Sequence, residues 1–239
     1  MNICRSRTLQ RKLSSCMKLW CFNTSKIRFS SQHSSNKSDG KQPAASTISE
    51  LTKVFESAGI SEPQLSAELL VGEVLGERNL DKLKNIANHS SLSSQQSEKL
   101  SVMSQCRLSN MPVQYILGYW DFRELTLKMK PPVFIPRSET EELVGIVLNH
   151  LHQIDNQNVI NVLEIGCGSG AISLSLLKEY NHKLNYLKIL AIDQSASAVN
   201  LSLENAAEVL LQQKESNSSY QEKGMIWYLY ILIDFLFNI

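Results

Sequence analysis

The chain has 239 residues, 43% of them hydrophobic and 20% charged, with a formal net charge of +1. That composition is globular and supplies a real core for one large domain or two small ones. The near-neutral total hides an asymmetry: Met1 to Ser38 holds eight basic residues and no acid, which leaves sixteen basic and all twenty-three acidic residues to the rest, a net of −7. A body of that sign is disfavoured as a binder of nucleic acid through bulk charge, so no direct nucleic-acid partner is expected.

Five cysteines (Cys4, Cys16, Cys21, Cys106, Cys167) are scattered, and none forms a CxxC pair. This argues against a disulfide scaffold or a zinc ribbon and fits a reducing compartment. His150 and His152 lie two apart, so on a helix they point different ways and read as solvated helix-end residues. No metal site is expected.

Residues 1–42 are rich in Arg and Ser and free of acid until Asp39. No apolar run is long enough for a secretory signal. Leu9, Leu13, Trp20 and Phe22 interleave with Arg11, Lys12 and Lys18, as in a weak amphipathic helix. The segment reads as a mitochondrial transit peptide, with a disordered basic tail as the alternative. A location in the mitochondrial matrix follows from the first reading.

Organised sequence spans 43–110. Thr47-Ile48-Ser49-Glu50 has the pattern of a capping box, with Ile48, Leu51, Val54, Phe55 and Ala58 following at helical spacing and Gly59 able to end the helix. Ser61-Glu62-Pro63-Gln64 opens a second helix that ends near Gly76. Asn79 caps a third, and Ser93 or Ser94 opens a fourth carrying Leu100, Met103 and Leu108. Together they predict a small all-α bundle that positions a partner or substrate.

Residues 111–137 read as a hairpin linker. Val113 to Phe122 is aromatic and β-branched, Leu125, Leu127 and Met129 alternate with polar residues, and Arg123-Glu124 is the expected turn. Ser138-Glu139-Thr140-Glu141 looks like a second capping box, opening a helix with Leu143, Val144, Val147, Leu148 and Leu151 on one side.

Val159 to Ile165 reads as a buried parallel strand, followed by Gly166-Cys167-Gly168-Ser169-Gly170 and an apolar helix from Ala171 to Tyr180. A second strand, Leu187 to Ile192, ends in Asp193, and a helix starts near Ala196. This βαβα order is the first half of a doubly wound sheet. Glycines let the backbone turn tightly and approach a ligand, and an acid ending the second strand can accept hydrogen bonds from ribose hydroxyls. Gly166-x-Gly168-x-x-Ala171 also fits a dinucleotide fingerprint, which keeps an NAD-type Rossmann protein open. Glu164, two residues before the first glycine, resembles the acid in the first motif of class I S-adenosylmethionine (SAM) methyltransferases; the alternative is a carboxylate that only caps loop amides. Cys167 reads as a small loop residue.

Taken together, Pro112-Val113-Gln114-Tyr115-Ile116-Leu117-Gly118, Phe122, Ile135-Pro136-Arg137-Ser138-Glu139-Thr140-Glu141, the glycine loop and Asp193 resemble the HemK/PrmC family over roughly Thr47 to Ala206. These enzymes methylate the glutamine of the Gly-Gly-Gln loop in peptide-chain release factors. The resemblance is to the mitochondrial member. It implies a class I, Rossmann-like SAM-methyltransferase domain over 138–224, incomplete at its C-terminal side. It also implies a SAM site formed by Glu164, Gly166, Cys167, Gly168, Ser169, Gly170 and Asp193, with Phe122 walling the substrate side. In the family an Asn-Pro-Pro-Tyr motif orients the glutamine amide. That motif is absent, because no proline follows Pro136. No catalytic residue can therefore be named, and the chain is expected to be inactive or nearly so. Two other readings are a non-catalytic fragment that binds SAM or a release factor, and the NAD-type protein. Residues 225–239, thirteen of them apolar, form an atypical tail, too short for a membrane span and able to supply one strand.

Overall fold

The computed structural model describes residues 43–154, 159–180, 187–216 and 227–231. The leader, residues 217–226 and 232–239 lie outside them, and with them the transit-peptide reading and most of the tail. The chain divides into two compact units, one ending at Leu117 and one starting at Gly118.

The first unit is helical: α1 (Ala44–Ser57), α2 (Pro63–Leu75), α3 (Leu80–His89), α4 (Ser94–Leu108) and the short α5 (Val113–Leu117). The core lies around α2, whose Ala67, Leu70 and Val71 are fully buried, with Phe55 of α1, Leu83 of α3 and Met103 of α4. Each large apolar side chain buried in this way contributes about 1.5–3 kcal/mol. Two helix starts follow the sequence reading closely. The Asn79 side chain accepts from the amides of Asp81 and Lys82, and Ser93 forms a reciprocal capping box with Gln96. Gly59 and Gly76 end α1 and α2 with positive φ.

The Thr47–Glu50 capping box does not form. The helix begins three residues earlier, at Ala44, behind Pro43. The Ala44 amide is satisfied by Ser90 O at 2.8 Å, and Ala44 and Ala45 favour helix, so Thr47 and Glu50 lie within α1. Similarly, Val113–Leu117 is one helical stretch rather than part of an extended run, set off by Pro112 and ended by Gly118 at φ 83.

Arg107 is the polar staple of this unit. It is 8% exposed, and its guanidinium donates to Ser66 Oγ (3.0 Å), Met111 O (3.3 Å) and Ser61 O (2.9 Å). Burial lowers its pKa, while nearby Glu62 acts in the opposite sense. Arg107→Ala leaves three acceptors without that donor and is expected to cost about 2–4 kcal/mol in urea unfolding. A loss below about 1 kcal/mol contradicts the staple role.

The second unit opens with an antiparallel hairpin, β1 (Tyr119–Phe122) and β2 (Leu125–Lys128), turning at Arg123-Glu124 as expected. α6 (Ser138–Gln153), β3 (Ile160–Ile165), α7 (Ala171–Glu179), β4 (Leu187–Asp193), α8 (Ala196–Ser216) and β5 (Trp227–Ile231) follow. The strands β3, β4 and β5 form a parallel sheet in that spatial order. The tail thus supplies one strand beside β4. The second capping box also fails to form: α6 starts at Ser138, with Arg137 at the N-cap position and no side-chain cap bond. Arg123 fixes the hairpin turn. Its Nε and Nη2 each donate to the Glu179 carboxylate at 2.6 Å, and its Nη1 donates to Glu141 O at 2.8 Å.

β3 departs from its expected burial on both faces. Ile160, Val162 and Glu164 lie on the covered face beside Leu187, Ile189 and Ala191 of β4. On the other face Leu163 is 57% and Ile165 76% exposed. β3 is the edge strand of the described sheet, and none of the described helices covers that second face of it. On α6, Val144, Leu148 and Leu151 are buried, but Leu143 is exposed.

Candidate functional site

The loop between β3 and α7 sits at the carboxyl edge of the sheet. Gly166, Gly168 and Gly170 all have positive φ, at 80°, 55° and 81°. These values permit a tight turn that residues with a side chain adopt only under strain. The amides of Gly166 and Cys167 donate to Ile192 O at 2.7 and 3.1 Å, and the Gly170 amide donates to Cys167 O at 2.8 Å. The loop is thereby tied to the end of β4.

The glycines do different work. A Cβ on Gly166 or Gly168 meets nothing within 4 Å, so both border open space. A Cβ on Gly170 falls 2.4 Å from Ser202 Oγ and 3.2 Å from Leu174 Cδ1. Gly170 therefore lets the loop pack against α8, while Gly168 leaves a surface onto which a ligand can close.

Two acids flank the loop. Asp193 Oδ2 accepts from the Gly168 amide at 2.9 Å, and its Oδ1 accepts from the Ser195 amide at 2.8 Å. Glu164 accepts from the amide of Ser173 at 3.2 Å and from the Ser173 hydroxyl. Burial pushes the Glu164 pKa up to about 7; the Ser173 bonds pull it down and the charge of Asp193 pushes it up. The structure thus brings Glu164, the three glycines and Asp193 together, as the sequence reading required. Cys167 and Ser169 are buried within the loop. Burial, then Glu164 and Asp193, push the Cys167 thiol up to about 11, which leaves it an unreactive packing residue.

Phe122 stands differently. It is 1% exposed and packs at the hairpin end opposite Leu125, so it offers a substrate almost no surface. Three residues that the sequence reading missed shape the site: Ser173, which holds Glu164; Ser195, whose amide holds Asp193; and Asn205, which donates to Ser169 O at 2.9 Å. Only Ser173 carried a signal, as a polar residue in an apolar helix one turn after the loop. Among the described residues no group of His, Cys, Asp or Glu is arranged to hold a metal, and no helix is long and apolar enough to cross a membrane.

Two family models match in succession: the PrmC N-terminal domain over residues 46–118 and the methyltransferase small domain over residues 124–226. The chain belongs to the HemK/PrmC family. It is similar to the human MTRF1L release factor glutamine methyltransferase, 44% identical over 179 residues, covering 73% of this chain and 52% of that protein. The release factor glutamine methyltransferase of Clostridium botulinum is 33% identical over 161 residues, covering 67% of this chain and 54% of the relative. The chain spans about half the length of the curated relatives it matches. Among solved structures, the N-terminal domain of human METTL16 aligns with a TM-score of 0.33 and 15% identity, covering 84% of this chain and 59% of that one. The second unit is thus an α/β unit with a parallel sheet that matches the methyltransferase small domain, and the helical unit before it in sequence matches the PrmC N-terminal domain.

Proposed function

We propose that the chain serves release-factor glutamine methylation, with the loop Gly166–Gly170 binding SAM and the helical unit holding the release factor near its Gly-Gly-Gln loop. The observation that carries the cofactor assignment is the pair of carboxylates at one glycine loop, close enough for Asp193 to raise the pKa of Glu164. Asp193 suits the ribose of either ligand, so Glu164 decides: a carboxylate beside the loop disfavours a pyrophosphate there, whereas SAM carries a sulfonium and an ammonium that it attracts. The open space at Gly166 and Gly168 fits the close approach of a ligand to the backbone. Asp193 would hold the ribose hydroxyls, and Glu164 with the loop amides would hold the methionine end. When bound, SAM supplies an electrophilic methyl group.

The same pair makes binding pH-dependent. Glu164 ionises near pH 7 in the free chain, well above the ordinary value of 4.5. The folded state therefore holds a proton that the unfolded chain releases, and stability falls as pH rises from about 4.5 to about 7. A cationic ligand favours the ionised carboxylate, so SAM affinity is expected to increase between pH 6 and pH 8, with proton release, by at most about ten-fold per unit. Glu164→Gln should flatten the profile. Calorimetry in two buffers of different ionisation enthalpy checks this, and a flat profile in the unsubstituted chain contradicts it.

Transfer itself needs a group that accepts hydrogen bonds from the glutamine amide. The family's Asn-Pro-Pro-Tyr motif does not occur in this sequence. This favours a second reading, in which the chain binds SAM or the release factor without turnover. The setting we propose is the mitochondrial matrix. Residues 1–45 fused to a fluorescent reporter should carry it into mitochondria, and a diffuse cytosolic signal contradicts that location.

A further inference from the structure

A two-stranded hairpin leaves the outer edge of each strand without a ladder partner. β2 solves this in an unusual way. The outward amide of Lys128 donates to Asn205 Oδ1 at 2.7 Å, and Lys128 O accepts from Asn205 Nδ2 at 3.3 Å. The side-chain amide of Asn205 thus stands where the peptide group of a third strand would stand. The same Nδ2 donates to Ser169 O at 2.9 Å, inside the glycine loop. Asn205 is 1% exposed, and the network admits one orientation of its amide, since Lys128 N–H needs an acceptor and Ser169 O a donor. Around it, Lys128 pairs with Glu208 and Lys130 with Glu204, so one face of α8 runs along the hairpin strand. Val133, Ala198 and Leu201 pack together just beyond.

We infer that Asn205 is a positioning residue that fastens the hairpin to the glycine loop, so that order in one is imposed on the other. The part of this inference that concerns ligand binding rests on the reading of the loop as the SAM site; the fastening itself does not. Among the described residues Asn205 is the side chain that bonds both backbone segments, and an apolar residue at 205 removes all three bonds.

The test is residue-resolved amide hydrogen exchange on the full chain, free and with SAM. Asn205→Leu is expected to speed exchange at Lys128 and at the loop amides of Gly168 and Gly170 by about ten-fold, with the β3–β4 ladder unchanged. Asn205→Asp keeps the acceptor and loses the donors, so Lys128 should stay protected while the loop amides speed up. That split is not expected of a residue that only fills space. Should Asn205→Leu fail to fold, the Asp variant decides alone. Equal change at both places in the Asp variant, or no change at either, overturns the inference. With SAM, protection at Lys128 should increase in the unsubstituted chain and not in Asn205→Asp. If SAM leaves the loop amides of the unsubstituted chain unaltered, the cofactor assignment fails, while the split in the free chain still supports or overturns the fastening.

Discussion

Supplied with labelled SAM and a release factor bearing Gly-Gly-Gln, the 239-residue chain is expected to incorporate methyl groups at least about 10²–10³-fold more slowly than a family member with the Asn-Pro-Pro-Tyr motif. An amide nitrogen is a weak nucleophile. Its lone pair becomes available to the methyl group only when acceptors placed in advance take its hydrogens. The residues that converge at the loop are Glu164, Asp193 and backbone groups. Both carboxylates already accept hydrogen bonds from loop or helix groups, and neither replaces a carbonyl aimed at the substrate. A control release factor with its glutamine replaced sets the background. Incorporation at the rate of a complete family member overturns this prediction and requires another amide-orienting group in the chain.

The second large effect separates two glycines that the motif treats alike. Gly170→Ala is expected to damage the fold. The alanine Cβ falls 2.4 Å from Ser202 Oγ, and φ at 81° strains any residue with a side chain. A cost of about 2–4 kcal/mol follows. Gly168→Val has free space around its Cβ in the absence of ligand, with φ at 55°. It should lower stability by about 1–2 kcal/mol from backbone strain, and weaken SAM binding by about ten-fold or more because the side chain occupies the open face of the loop. Thermal melts and equilibrium dialysis with labelled SAM read the two effects apart. Equal melting loss in both variants, with SAM binding intact in Gly168→Val, contradicts the division of roles.

The loop was legible in the sequence because its chemistry is local. Glycines at 166, 168 and 170, an acid two residues ahead and an acid at the end of the next strand are all short-range signals. The caps at Asn79 and at Ser93–Gln96 were legible for the same reason, since each bond spans two or three residues. The boxes at Thr47 and Ser138 matched the same pattern and failed, because a helix start depends on what precedes it. At Ala44 the carbonyl of Ser90, forty-six residues away in sequence, supplies the missing bond. Asn205 carried no signal, since its partners, Lys128 and Ser169, lie 77 and 36 residues away. The exposure of Leu163 and Ile165 turns on neighbours as well. An apolar run reports that a strand can be buried on both faces, not that neighbours are present to bury it. Among the described residues that face of β3 stays open.

The most direct measurement is calorimetric titration of the full chain with SAM and, separately, with NAD⁺ at pH 8. The account predicts saturable binding of SAM that is lost in Asp193→Ala, and no binding of NAD⁺. Binding of NAD⁺ as tight as that of SAM, or SAM binding that survives both Asp193→Ala and Gly168→Val, contradicts the assignment of the glycine loop.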